Sequence, residues 1–433
     1  MKKYILVVFM VLMFACTLGQ RNAKQTKSQA PTPTSVSTIP IAPTAVPPTN
    51  PSAVASVPTT QPTNVPTATR VPLNAIPAAR LALLARGVDL TQWYKVTTGP
   101  TPFSNYYTDN DLKTIRALGF TDVRLAVPLS VLFQPDQSDL PNPQELAYLD
   151  EAINQILANG LAVIVDMHAA GNKATDATEM IKNEIETNAS VANDYVTFWS
   201  ALAQHLNQYD PNMVFLEILN EPDYEKDPQQ WIDLQNRLVT AIRAGAPADT
   251  IVATGPVTPI GGLLQLKPVA DPNVIYTFHF YEPFTFTAQG KADVPDLASL
   301  KDLPYPWSST PCATAIAALT NADAKKTAQE YCNEQWDAAK LDTDVQKAAN
   351  WAHQNNAHVF VGEFGADSRS EVPADRVQWF EDVYNIWQKY QIPWTLWGYD
   401  DTHGLDRQVT PQGNISLDMS VVNALQLNAS SLK

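Results

Sequence analysis

No glycine-rich phosphate loop interrupts these 433 residues, and no stripe of lysine and arginine runs along them. Nucleotide chemistry at a first βα turn and binding to nucleic acid therefore lack their usual equipment. Charge balance agrees, since 29 basic against 44 acidic residues suits an exported protein acting on a neutral substrate. Cysteine is scarce, with three in all. No His/Cys/Asp spacing marks a metal site, so neither a metal nor a cofactor is expected. The apolar run Tyr4 to Phe14 is too short to span a bilayer, and charged side chains are missing altogether from Pro31 to Thr69.

Two of these shortages organise the N-terminus. Met1-Lys2-Lys3 followed by that apolar run has the form of an export signal over residues 1–20. Leu12-Met13-Phe14-Ala15-Cys16 resembles a bacterial lipobox, although Phe14 is bulky for that pattern. Two outcomes stay open: acylation of Cys16, which would anchor the chain to a membrane through a lipid, or ordinary cleavage nearby. Residues 21–78 are rich in Pro and Thr, as in Pro47-Pro48-Thr49-Asn50-Pro51. Prolines that fix φ and remove donors prevent helix and sheet from propagating, so a disordered, extended stalk is expected, at about 3.1 Å per residue. The protein is thus expected to be secreted or held at the outer surface as a bacterial lipoprotein, and to be monomeric.

Residues 79–433 suffice for one large α/β domain. Strand-like runs occur at Arg86 to Leu90, Asp122 to Val127, Ala162 to Met167, Met213 to Leu219, Ile251 to Thr254, Val274 to Phe280, His358 to Val361 and Trp394 to Trp397. Amphipathic stretches lie between them, at Asp109 to Leu118, Leu146 to Asn159, Asn193 to Gln208, Pro228 to Ala244, Asp344 to Gln354 and Ala374 to Tyr390. This alternation predicts a closed (β/α)8 TIM barrel. The connection from Tyr281 to about Asp344 is far longer than usual, and it is expected to shape one wall of a cleft.

Two strand-like runs end in carboxylates, at Asn220-Glu221-Pro222 and at Gly362-Glu363-Phe364-Gly365. In a parallel barrel that is where active sites assemble. Two carboxylates facing one cavity are the equipment of a glycosidase, one donating a proton to a leaving oxygen and the other attacking the sugar carbon. Period-two alternation sends particular side chains inward. It places Glu217 with Glu221, Asp166 with His168, Thr277 with His279 and Tyr281, Val361 with Glu363, and Thr395 with Trp397 and Tyr399. Arg124 lies mid-strand, and Glu217 is its simplest partner.

In this pattern the domain resembles family 5 of the glycoside hydrolases, retaining enzymes of a large barrel clan. The resemblance rests on Arg86-Gly87-Val88-Asp89, on Arg124, on His168, on Glu217-Ile218-Leu219-Asn220-Glu221-Pro222, on His279 with Tyr281, on Glu363 and on Trp397. It implies that Glu221 is the acid/base and Glu363 the nucleophile, that Asn220 contacts the sugar 2-hydroxyl, and that Trp397 is a stacking platform. Arg124, His168, His279 and Tyr281 would support the pair. The proton of Glu221 would be retained by proximity to the second carboxylate.

Ala169 stands where many relatives carry a second histidine, and the 282–344 insertion lies outside the common core. Cys312 and Cys332, in that insertion, are expected to pair, the alternative being two separately buried thiols. Trp199, Trp231, Trp351, Trp379 and Trp387 read as helix-to-barrel packing. Trp93, Tyr106, Tyr107, Trp307 and Trp336 read as loop packing or as further sugar contacts. The expected partner is a polysaccharide, with an endo-β-1,4-glucanase first, a mannanase or related β-glycanase second, and a catalytically inactive glycan-binding barrel as the alternative of another class.

Overall fold

The computed structural model describes residues 76–94, 106–135, 140–169 and 177–432. The expected export signal, Cys16 and the Pro/Thr-rich stalk lie outside the described residues. Eight strands, β1 (Arg86–Leu90), β2 (Asp122–Pro128), β3 (Ala162–His168), β4 (Val214–Glu217), β5 (Thr250–Thr254), β6 (Val274–Phe280), β7 (His358–Phe364) and β8 (Trp394–Leu396), close into one barrel. Each neighbouring pair is parallel, and β1 pairs with β8. The sequence favours this because its strand runs are predominantly apolar, as parallel strands covered by helices require.

The barrel interior is layered. At the end where the strands begin, Ala162, Ile164, Phe215, Val252, Ile275 and Phe360 meet Ile76 and Leu84 in a dry plug. The short helix Ala78–Ala82 closes that end, and its Arg80 donates to Asn212, the Ala248 carbonyl and Thr250. At the other end the inward side chains are charged: Asp89, Arg124, Asp166, Glu217 and Glu363 are all buried.

The helices begin where capping chemistry places them. Asn142 and Asp227 cap helices whose first turns carry Pro143 and Pro228, positions where proline's missing N–H costs nothing. Thr108 and Asp111 form a reciprocal capping box on helix Asp109–Leu118. The expected tryptophan packing is present, and several rings also donate to carbonyls: Trp199 to Ile218, Trp231 to Thr254, Trp351 to Leu266 and Trp379 to Glu282.

The insertion is more ordered than an undecorated loop. It contains helices Ser309–Ala318 and Ala322–Glu334, joined by the Cys312–Cys332 disulfide with Cα atoms 6.0 Å apart. The helix leading into β7 starts at Ala338, not near Asp344. Only the first part of the insertion, including Phe284, Lys291 and Asp293, reaches the cleft, and neither cysteine lines it. Among the described residues no helix is long and apolar enough to cross a membrane.

Candidate active site

Arg124 is the hub at the charged end of the barrel. Its Nε and Nη2 donate to the two oxygens of Glu217, both at 2.8 Å, which fixes the predicted pairing in bidentate form. Nη1 donates to Asp89 at 3.0 Å and to Glu363 Oε1 at 2.8 Å. Nη2 also reaches Asn220 Oδ1 at 2.8 Å and lies 3.1 Å from Asp166. Burial alone would lower the Arg124 pKa, but Asp166, Glu217 and Asp89 outweigh it and raise it well above the ordinary value. Burial pushes the carboxyls of Asp89 and Glu217 up, and Arg124 opposes it.

Two local departures from regular strand geometry aim the carboxylates. Strand β4 stops at Glu217, and Ile218 and Leu219 both turn to the outer core, so alternation does not carry Glu221 inward. The Ile218 carbonyl, pulled off the ladder, accepts from Tyr195 and Trp199 of the helix behind it. Glu221 then adopts a left-handed φ of 44°. On β7 the register with β6 shifts, pairing Phe278 with Val361 and then His279 with Glu363. Gly362 is the extra residue of this bulge, so Val361 faces the outer core while Glu363 faces the mouth, and the two do not share a face. A Cβ on Gly362 would sit 2.4 Å from Thr277 Oγ1. Likewise Trp397 lines the cleft, whereas Tyr399 packs in the outer core and donates to Asp111.

The remaining expected residues converge. Tyr281 donates to Glu363 Oε2 at 2.9 Å. His279 Nδ1 stands between the two carboxylates, 3.0 Å from Glu221 Oε1 and 3.3 Å from Glu363 Oε2. Asn220 commits its oxygen to Arg124, which leaves its buried Nδ2 without a protein partner at the cleft surface. His168 pairs with Asp166 at 2.6 Å and stacks on the Trp397 ring, with centroids 5.4 Å apart. The Glu363 side chain is 5% exposed and that of Glu221 42%.

The electrostatics around Glu221 run against one expectation. Burial raises the Glu221 pKa, but the bond and charge of His279, followed by His168 and Lys182, overcome it and bring the group down to about 2. His279 moves the other way: burial lowers its pKa, while Glu363 and then Glu221 raise it. Of the two, His279 is the group pushed towards holding a proton and Glu221 the group pushed towards losing one. The imidazole between the two carboxylates opposes the upward push expected from their proximity.

Carboxylate oxygens of Glu221 and Glu363 and the nearer nitrogen of His279 lie within 4.8 Å of one another. Among the described residues this is the one cluster with metal-ligand spacing. Its donors are already engaged with Arg124, Tyr281 and each other, and the adjacent guanidinium disfavours a cation. The cleft above has a volume of about 1420 Å³, beyond the roughly 300 to 1,000 Å³ of small-molecule pockets.

Of the loop aromatics, Trp93, Tyr107 and Trp336 are buried in packing, Trp307 is partly buried against the core, and Tyr106 is 39% exposed. Phe284, Lys182 and Asp293 also line the cleft and were not legible as site residues. Asp89 was visible only as part of Arg86-Gly87-Val88-Asp89. Its inward position two residues after Gly87 was the available signal.

A parallel barrel whose mouth holds two neighbouring carboxylates over a buried arginine defines a glycosidase-type protein. The chain belongs to glycosyl hydrolase family 5, the cellulase family, whose description matches residues 85–403. Endoglucanase 3 of Fibrobacter succinogenes is 26% identical over 345 residues, 75% of this chain, and the match spans 51% of that protein's length. Endoglucanase C of Acetivibrio thermocellus is 25% identical over 353 residues, covering 78% of this chain and 97% of that protein. Cel5A of Thermotoga maritima, solved with cellobiose, superimposes with a TM-score of 0.62 at 23% identity, covering 80% of this chain and 98% of that one. The same protein solved with mannotriose gives 0.59 at 22% identity, with the same coverage.

Proposed function

We propose that this protein is a retaining, endo-acting β-glycosidase that cleaves internal linkages of a β-1,4-glucan. The observation that carries the reading is the separation of the Glu221 and Glu363 oxygens, within 4.8 Å. Carboxyl groups about 5 to 5.5 Å apart leave no room for a water between the second carboxylate and the sugar, whereas inverting pairs stand about 6.5 to 9.5 Å apart. Glu363, its two oxygens oriented by Arg124 and by Tyr281, attacks the anomeric carbon. Glu221 delivers a proton to the departing glycosidic oxygen, drawing on the proton that His279 holds beside it. A glycosyl ester on Glu363 results. Glu221, now a base, takes a proton from water as that water attacks the same carbon, and the configuration is retained.

An open cleft larger than a single-sugar pocket supports a chain-like substrate. The endoglucanase names of the relatives favour glucan. Mannan is the second reading, because Cel5A of Thermotoga maritima was solved with mannotriose as well as with cellobiose. A reducing-sugar screen on carboxymethylcellulose, mixed-linkage glucan, mannan, xylan and xyloglucan tests both, with proton NMR of the first products. Release from glucan with retained anomers is expected. Binding without release from any glycan would leave the non-catalytic barrel standing instead. We place the enzyme outside the cell on the strength of Met1 to Cys16, and mass analysis of the mature N-terminus decides between a lipid on Cys16 and simple cleavage.

A further inference from the structure

Glu221 sits in a left-handed backbone conformation that a non-glycine residue keeps only where its surroundings enforce it. The next residue, Pro222, has no N–H with which to brace the turn. What braces it comes from helix Ala177–Thr187, an element that periodicity did not reveal. Lys182 Nζ donates to the Glu221 carbonyl at 3.3 Å. Four residues on, and therefore on the same helix face, Glu186 Oε1 accepts the Asp223 amide at 3.0 Å. The Glu186 carbonyl accepts from Gln230 at 2.6 Å, tying the helix to helix Pro228–Gly245.

We infer that Lys182 and Glu186 are positioning residues: a two-point clamp that grips the backbone on either side of Pro222 and holds the Glu221 carboxyl at the leaving oxygen. The inference rests on the reading of Glu221 as acid/base. The lysine is well suited to the task. Its side chain is 10% exposed, and the carboxylate that pairs with it, Glu179, lies at 3.5 Å, so its ammonium remains available to the carbonyl. Lys182 also adds its charge to those facing Glu221 from the barrel, which are His279 on β6, Glu363 on β7 and His168 on β3. Around Glu186 stand Asp223, Lys182 and Glu179, and burial holds its carboxyl up to about 7. A neutral acceptor of the same shape should therefore serve in its place.

The test uses the full chain and a series of aryl β-cellobiosides running from phenyl to 2,4-dinitrophenyl leaving groups. A clamp on the proton donor matters only where the leaving group needs a proton. Lys182→Met and Glu186→Ala are expected to lose about 10- to 100-fold in kcat/KM on the phenyl glycoside. On the dinitrophenyl glycoside they should stay within about twofold, so the dependence on leaving-group pKa steepens. Lys182→Arg and Glu186→Gln, which keep the donor and the acceptor, should restore the wild-type dependence. Equal loss across the series, or none, with an active wild type would overturn the clamp. If one variant fails to fold, the other decides. A wild type inactive on every member would sink the glycosidase reading itself, and the clamp with it.

Discussion

The two carboxylates at the barrel mouth are held in opposite ways. Glu363 is bonded on both oxygens, by Arg124 on one and by Tyr281 on the other, and its side chain is 5% exposed. Glu221 has one side-chain bond, to His279, is 42% exposed, and owes its placement to a turn outside the barrel's hydrogen-bond ladder. The contrast follows from the chemistry proposed for each. A nucleophile gains from a single fixed line of attack, with the competing orientations already removed. A group that must give a proton and then take one back has to meet both the sugar and the incoming water, so it stands at the edge where solvent and protein proton donors are both within reach.

The strongest test of that contrast is Glu363→Ala. Turnover should fall on the order of 10⁴-fold or more on every substrate. Azide should restore it with inversion by occupying the vacated face. Near-normal turnover would remove Glu363 from its role. Glu221→Ala should cost about 10²- to 10⁴-fold on polysaccharide, where protonation is essential. A dinitrophenyl glycoside should show a surviving first step, a slowed second one, and a retained azide product. Matching behaviour of the two variants would erase the distinction.

His279→Asn probes the proton between them. Activity of the wild type should disappear as pH rises through the raised pKa of His279. In the variant the proton must sit on Glu221 itself, so the alkaline limb of kcat/KM should move to lower pH. An unchanged limb would place the titrating group elsewhere. The linkage has the matching sign for stability. A histidine whose pKa is raised by folding stabilises fully below about pH 6.5 and ceases to do so as pH climbs past its folded value, so the melting difference between wild type and His279→Asn should shrink with rising pH.

The smallest effect on catalysis should come from the disulfide-linked part of the insertion, which does not line the cleft. Cys312→Ala with Cys332→Ala opens a link of sequence separation 20, worth about 3 kcal/mol by the chain-entropy account. Denaturant melts should register that loss while kcat stays near wild type, because neither cysteine reaches the cleft. A comparable loss of kcat would mean that the insertion couples to the mouth more tightly than its contacts indicate.

The barrel was legible because a parallel strand covered on both sides leaves a continuous apolar run, and all eight such runs lie where strands form. Arg124 and Glu217 were legible for a related reason, since an inward charge in such an interior must be paired. Alternation failed at the two functional strand ends. A bulge at Gly362 and a turn at Glu221 each reset the period, and the second is enforced by side chains from a distant helix. That helix, Ala177–Thr187, is short and mostly polar, with Ile185 its one fully buried aliphatic, so its apolar stripe is narrow and easily passed over. Helix Ser309–Ala318 escaped because it has almost no amphipathic stripe, and Ala322–Glu334 because its stripe is built from small and polar-tipped residues, Ala324, Ala328, Tyr331 and Cys332.

Arg124 has five N–H bonds to give, and the structure uses all five, on Glu217 twice, Asp89, Glu363 and Asn220. A lysine offers three donors on a point charge and would strand at least two of those acceptors in a dry interior. The molecule is therefore unequally open to change. Its cleft walls, where Phe284, Lys291 and Asp293 stand apart from the Arg124 network, leave room for change. The hub admits no single-step alternative, so an engineer or a drifting lineage has freedom to choose the substrate and almost none to choose the reaction.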